Sequence, residues 1–504
     1  MKNLPWIVGM SLVCAGMANA QGRPIDWPSY GGDAQRSGWE KSDSRITKDN
    51  IKDFQLVLKR KLDNRQDGPR SLTAPVIIGN LISYRGFKEL AFVAGSSDTV
   101  WSIDADLDRL FWQRHFDSPA PPKTANASCS GGLTAIPALT PPLNFGARRP
   151  PGAAPPVTRS PGAPATPAGN ASAPAPGRIG GAAFGASRPV FALASDGKLH
   201  QLNSATGVDQ FPPVAFVPPN ANASSLTLQD GVLYTTTSSG CGDAPTGVWA
   251  IDLNRPDSKP VSFLAKAGKI GGIGGFAIGT DGTIYTQTSE TLLALTPKDL
   301  KLKQQFTAPG GDSVTPVVFA WKGREMVVSA GKNGSLYLLD AQSLGSALYQ
   351  TAPLSSGKVW GGLSSWEDTE GTRWVLAPVW GPLNANLKSL LTGGDAPNGS
   401  IVAFKVEEQQ GKAVLTPVWV SRDMSSPEPP VITSGVAFAL SAGAYPAGHA
   451  TLYALDGTTG KEIYSTGAQV SAPANLTGLA VANGRVYFTT NDSTLYAFGI
   501  YLER

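Results

Sequence analysis

Charge is scarce in this chain. Asp, Glu, Lys and Arg make up 16% of its 504 residues, and the formal net charge is +4. So small a charge on so long a chain argues against nucleic acid as the main partner. Histidine is rarer still. His115, His200 and His449 are widely spaced and suggest neither a histidine-rich metal site nor a Ser-His-Asp triad. None of the three cysteines stands in a CxxCH haem-attachment sequence, so no haem is expected. Beyond the first twenty residues no apolar run reaches bilayer-spanning length, and no transmembrane segment is expected. Gly271-Gly-Ile-Gly-Gly275 lacks the Gly-Lys-Ser/Thr and βαβ context of a phosphate loop, and reads instead as a tight lead-in to a strand.

Glycine (57) and proline (41) are abundant, as an all-β chain with many turns requires. Residues 1–20 have the form of a secretory signal peptide. Lys2 gives a positive start, Ile7 to Val13 an apolar stretch, and Ala18-Asn19-Ala20 a small-x-small cleavage site before Gln21. The mature protein is therefore expected in the periplasm or secreted. Removal of the leader takes Cys14 with it and leaves Cys129 and Cys241. An even pair in an oxidising compartment favours a disulfide, expected here between neighbouring blades.

A five-residue apolar strand recurs eight times. Its copies are Val100–Asp104, Leu199–Asn203, Val248–Asp252, Leu292–Thr296, Leu336–Asp340, Ile401–Lys405, Leu452–Asp456 and Leu495–Gly499. Six of the seven intervals are 43 to 65 residues, and one is 99. The long interval contains a Pro/Ala/Gly-rich stretch, 142–187, which cannot bury enough apolar area to offset ordering and reads as a disordered insertion. Asp-Gly and Asn-Gly turns separate paired β-runs, as in Ser195-Asp-Gly197 and Lys332-Asn-Gly334. Four antiparallel strands per period make a propeller blade. The expected fold is an eight-bladed β-propeller occupying 64–504. The segment 21–63 precedes it, and its strand Phe54–Leu62 closes the ring against the last blade.

The repeat resembles the pyrroloquinoline-quinone (PQQ) propeller repeat, Ala-x-Asp-x-x-Thr-Gly-x-x-x-Trp, whose Trp docks between adjacent blades. Ala454, Asp456, Thr459 and Gly460 match it, with Tyr464 in place of the Trp. Asp104 and Trp112 match in the first blade, and Asn203, Thr206, Gly207 and Phe211 in the second. Gln304 and Leu348 stand at degenerate docking positions.

Two stretches are also similar to PQQ-dependent alcohol dehydrogenases: Asp26 to Asp33, continuing at Ile46 to Ile51, and Pro316 to Asp340. That similarity implies that Lys332 would polarise the quinone carbonyls, and that Asp312 is the one candidate for the general base. Ca²⁺ would accompany the quinone, although no convincing calcium set is visible. Lys332 also suits a hairpin turn in solvent, and Asp312 an exposed loop. Trp360, Trp366, Trp374 and Trp380 cluster in the sixth repeat; Trp360 and Trp380, flanked by glycines, are the candidate stacking platform for a quinone or sugar.

Two functions stay open. One is a PQQ-dependent oxidoreductase acting on alcohol or sugar hydroxyls and passing electrons to a separate acceptor. The other is a non-catalytic binding or scaffold propeller, similar to outer-membrane assembly propellers, with a protein partner at one face.

Overall fold

A computed structural model describes residues 24–66, 68–83, 86–117, 131–141, 188–238, 240–265, 269–307, 314–331 and 334–500. The expected leader and the insertion 142–187 lie outside the described residues.

The strands form eight separate sheets, each antiparallel through its four blade strands. The recurrent five-residue strand is the third of its blade in every repeat. Blade one shows the plan with Val76–Ser83 innermost, then Gly86–Gly95, Thr99–Asp104 and Arg109–His115 outermost. The middle strands are buried on both faces, because each sheet packs against two neighbours. Thr99–Asp104, Val232–Thr237 and Arg485–Thr490 are buried at every residue. Burial on both sides selects continuous apolar or small-polar runs over alternation.

Among the described residues blade eight has three strands of its own, Ala480–Ala482, Arg485–Thr490 and Thr494–Gly499. Its fourth is Gln55–Lys61, paired antiparallel with Leu56 opposite Phe498 and Arg60 opposite Leu495. This is the expected closure by an N-terminal strand, and it removes the free edge that an open ring would present. Across the same seam Arg485 reaches Glu89 of blade one at 3.2 Å, and the Tyr487 hydroxyl donates to Glu89.

Blade docking follows the repeat chemistry, with one change of partner. Trp112 of blade one packs on Gly207 of blade two, and its Nε1 donates to the Ser204 carbonyl at 2.9 Å. Gly460 of blade seven receives Trp419 of blade six, whose Nε1 donates to the Gly457 carbonyl at 3.2 Å. The long hairpin Gly399–Gln409 and Lys412–Val420 carries Trp419 beyond the usual offset, which hid it from the repeat alignment. Gln304 docks by hydrogen bonds instead: its Nε2 donates to the Gln342 carbonyl at 3.0 Å and its Oε1 accepts from the Leu344 N–H at 2.7 Å.

The segment before the closing strand threads the inside of the ring. Trp27 pairs with Ile77 of blade one, and Pro28 accepts from Leu139 of blade two. Arg36 donates to Thr227 of blade three at 2.5 Å. Ala34, Gln35, Ser37 and Gly38 accept from Ile278, Val318, Ser365 and Ile432 of blades four to seven. Asp43 accepts from Gly484 of blade eight at 2.7 Å. One short arm thus contacts every blade, and Trp39–Glu40 adds a parallel strand inside blade seven.

Candidate functional site

The arm brings Tyr30 to the axis. Its ring meets three glycines that lead into the inner strands of blades four, six and eight. A methyl group at Gly274, Gly362 or Gly478 would fall 2.5, 2.7 or 2.8 Å from Tyr30. Only glycine leaves that space. Beneath it Arg36, 1% exposed, donates to the Phe276 carbonyl at 2.8 Å, to Ser225 Oγ at 2.9 Å and to the Tyr30 carbonyl at 2.6 Å. Burial raises the Tyr30 phenol well above its usual range and lowers the Arg36 guanidinium to about 10. Both keep their ordinary neutral-pH charge states, phenol neutral and guanidinium positive.

Around Tyr30 stand groups from blades one, six and seven. The indoles of Trp360 and Trp380 are stacked, with ring centroids 4.8 Å apart and planes 17° from parallel. Trp380 Nε1 donates to the Pro427 carbonyl at 2.9 Å, which ties blade six to the segment leading into blade seven. Lys358 Nζ lies 4.9 Å from the Trp380 centroid, and the Arg70 guanidinium carbon 5.9 Å from that of Trp360. Each is within cation–π range. A cavity of about 440 Å³ opens beside Trp380, lined by Gly331, Ser356, Gly357, Lys358, Val359 and Gly381.

Glu428 completes the group. It is fully buried; Oε2 accepts from the Gly478 N–H at 2.6 Å, and Oε1 has no hydrogen-bond partner. Burial raises its carboxyl to about 8, against the opposing pull of the Gly478 N–H and the Arg70 charge. A carboxyl with that value is a neutral acid at neutral pH.

The sequence-predicted residues divide. Trp360 and Trp380 meet in the channel. Trp366 and Trp374 do not join them; they stack on each other, 6.1 Å apart, in the packing between blades six and seven. Asp312, Lys332 and Cys129 lie outside the described residues. Gly331, which precedes Lys332 in the chain, lines the cavity with Trp380. Cys241 is buried at the start of a short 3₁₀ turn, Cys241–Asp243. Among the described residues no three His, Cys, Asp or Glu side chains are grouped to hold a metal ion.

Tyr30, Arg70, Lys358 and Glu428 were not anticipated from sequence. Glu428 carried a usable signal, being a lone acid in Pro427-Glu-Pro-Pro430 directly before a buried strand.

Comparison with known proteins agrees with the architecture. Residues 397–500 match the family model described as outer membrane protein assembly factor BamB, a PQQ-repeat model. No curated protein sequence matches the chain. Among solved structures, the quinohemoprotein alcohol dehydrogenase of Comamonas testosteroni is similar at 14% identity, covering 97% of this chain and 82% of its own, with a TM-score of 0.54. A europium-containing methanol dehydrogenase is similar at 12% identity, covering 94% and 98%, with a TM-score of 0.56. Quinohemoprotein alcohol dehydrogenase ADHIIG of Pseudomonas putida HK5 aligns at 12% identity over 95% and 80%, with a TM-score of 0.55. At such identities the likeness is one of fold. By its fold the chain is an eight-bladed β-propeller, and its residues 397–500 resemble the PQQ repeat.

Proposed function

We propose that this chain is a non-catalytic binding propeller that engages its ligand or partner through the side of the channel bearing Trp360, Trp380 and Lys358. The observation that carries this reading is Tyr30, wedged on the axis against Gly274, Gly362 and Gly478. A flat quinone with its cation needs that central volume and a set of ionised ligands. The described residues offer neither. The one carboxyl buried beside Tyr30, Glu428, favours its neutral form and already accepts from a backbone N–H. Ca²⁺ takes six to eight oxygen ligands, most of them charged or carbonyl. The described residues therefore do not fit a quinone–calcium pair.

The test is to add PQQ and Ca²⁺ to the purified protein, then record quinone absorbance and dye-linked oxidation of alcohols and sugars. The expected result is neither a bound-quinone spectrum nor turnover. Turnover above the protein-free rate overturns this reading.

One observation favours the other reading. Gly331 and Trp380 line one cavity, so the strand end that leads to Lys332 approaches the stacked indoles. On that reading the protein oxidises an alcohol or sugar hydroxyl, with Lys332 on the quinone, Asp312 as base and a separate electron acceptor. The same experiment separates the two, and Lys332→Ala would abolish quinone binding only under the second.

Export to the periplasm or medium belongs to the proposal as well. It rests on the leader-like residues 1–20, and no helix among the described residues is long and apolar enough to cross a membrane. N-terminal sequencing of the exported protein should begin at Gln21.

A further inference from the structure

Arg70 belongs to the segment leading into blade one, yet it faces Trp360 of blade six and Glu428 of blade seven. In an eight-bladed ring those blades meet only across the central channel. The side chain is exposed to solvent while crowded by protein, and the crowding lowers its guanidinium below the usual value. It donates no hydrogen bond and forms no ion pair with any described residue. A guanidinium that reaches solvent beside the Trp360 indole is a fork of donors without an acceptor among the described residues.

The second observation is independent of Arg70. Glu428 is fully buried, and its Oε1 makes no hydrogen bond. A buried carboxyl oxygen without a partner destabilises the fold unless something offsets it. Glu428 faces Arg70 from blade one, Tyr30 from the arm, and the backbone of Thr477 and Gly478 from blade eight. Arg36 stands behind Tyr30. Among the described residues Arg70 is the charged side chain that acts on the Glu428 carboxyl.

From this geometry we infer that the channel floor is a binding site for a small carboxylate, held by the Arg70 guanidinium against Trp360, with Glu428 as the proton-controlled gate of that site. The guanidinium fork matches a carboxylate in two parallel hydrogen bonds. A neutral Glu428 leaves the Arg70 charge available to the ligand. An ionised Glu428 supplies a competing counter-charge inside the protein and repels the incoming anion. With its carboxyl at about 8, Glu428 is neutral below that pH and ionised above it. Binding is therefore strong at pH 6.5 and falls as pH rises through 8. Tyr30 stays neutral across this window because burial raises its phenol. The inference rests on the binding-propeller reading only in assuming that the channel is open to ligands from the side where Arg70 is exposed.

The experiment uses benzoate as the anionic probe and benzamide as its neutral counterpart. Calorimetric titration is run at pH 6.5 and 9.5 on the wild type, Arg70→Gln and Glu428→Gln, each first shown to be folded by its thermal transition. The expected result is benzoate binding by the wild type at pH 6.5, weaker by about tenfold or more at pH 9.5. Arg70→Gln should lose binding at both pH values. Glu428→Gln should bind equally at both, because the gate is then permanently neutral. Benzamide should not bind. Benzoate binding by Arg70→Gln at wild-type affinity, a persisting pH effect in Glu428→Gln, or no binding by the folded wild type at pH 6.5 overturns the inference. Those failures leave the propeller reading intact. Dye-linked turnover with PQQ would sink that reading and leave the benzoate result standing.

Discussion

The indole of Trp380 lies 4.8 Å from that of Trp360, and its Nε1 reaches past blade six to the carbonyl of Pro427. One side chain therefore couples the stacked pair to the segment that carries Glu428. Replacing Trp380 with alanine removes the stack, the hydrogen bond and one wall of the cavity. The expected loss is about 2–4 kcal/mol in unfolding free energy, below the full cost for a completely buried Trp. Chemical denaturation measures the loss. Near-UV circular dichroism of the folded variant should lose the signal of the coupled indoles. An unchanged spectrum would contradict the stacking.

Glu428 makes stability depend on pH in an unusual direction. Burial raises its carboxyl from the ordinary 4.5 to about 8. The folded state thus holds a proton that the unfolded chain releases above its ordinary value. The contribution of this group is complete below about 4.5, declines as pH rises, and is gone by about 8. Denaturant midpoints of the wild type and Glu428→Gln, measured from pH 5 to 9, should diverge progressively, with the wild type losing more. Parallel curves would show that Glu428 does not titrate in this range.

Arg36 is the fixing point of the arm. Its guanidinium serves Phe276, Tyr30, Ser225 and Thr227, all within the protein interior. Arg36→Met keeps much of the volume but leaves those acceptors without their donor. A loss of at least about 3 kcal/mol is expected. Protease sensitivity should rise first within residues 25–53, since the arm loses its central anchor. Cleavage that begins in the outer strands would argue against this role.

Ring closure should depend on the buried side chains of the closing strand, whose register shifts between Leu56 and Leu58. Leu58 is buried, whereas Leu56 is exposed at 37%. Leu58→Asp places a charge in the seam between blade eight and its neighbours and should abolish the cooperative thermal transition. Leu56→Asp should shift the midpoint by no more than about 2 °C. Equal effects of the two substitutions would rule out the pairing of Gln55–Lys61 with Thr494–Gly499.

The expected Cys129–Cys241 bridge remains a proposal with a direct test. The exported protein, denatured without reductant, should show no thiol reactive toward an alkylating reagent, and two after reduction. Two reactive thiols before reduction would dismiss the bridge.

The blades were legible in the chain because blade formation is local. Each repeat supplies its own hairpins through turns such as Ser195-Asp-Gly197, and its middle strands are continuous apolar or small-polar runs because both faces are covered. The closing strand was legible for the same reason: Phe54 to Leu62 is a β-run without a blade, opposite a last repeat that lacks one strand. The docking residue of blade six was not, since the long hairpin moved Trp419 away from its usual offset.

The channel floor could not be read this way at all. Tyr30, Arg70, Trp360 and Glu428 come from the arm and three different blades, and nothing local in the sequence relates one to another. They meet only because closing the ring turns the lead-in segments toward one axis. That closure also decides their chemistry, since burial, not residue type, makes Glu428 a neutral acid, while Arg70 beside it reaches solvent. The sequence by itself determined the eight blades and the strand that closes them. The tertiary structure alone decided which side chains share the axis and in what state of charge, because desolvation and contact across the ring exist only once the ring is closed.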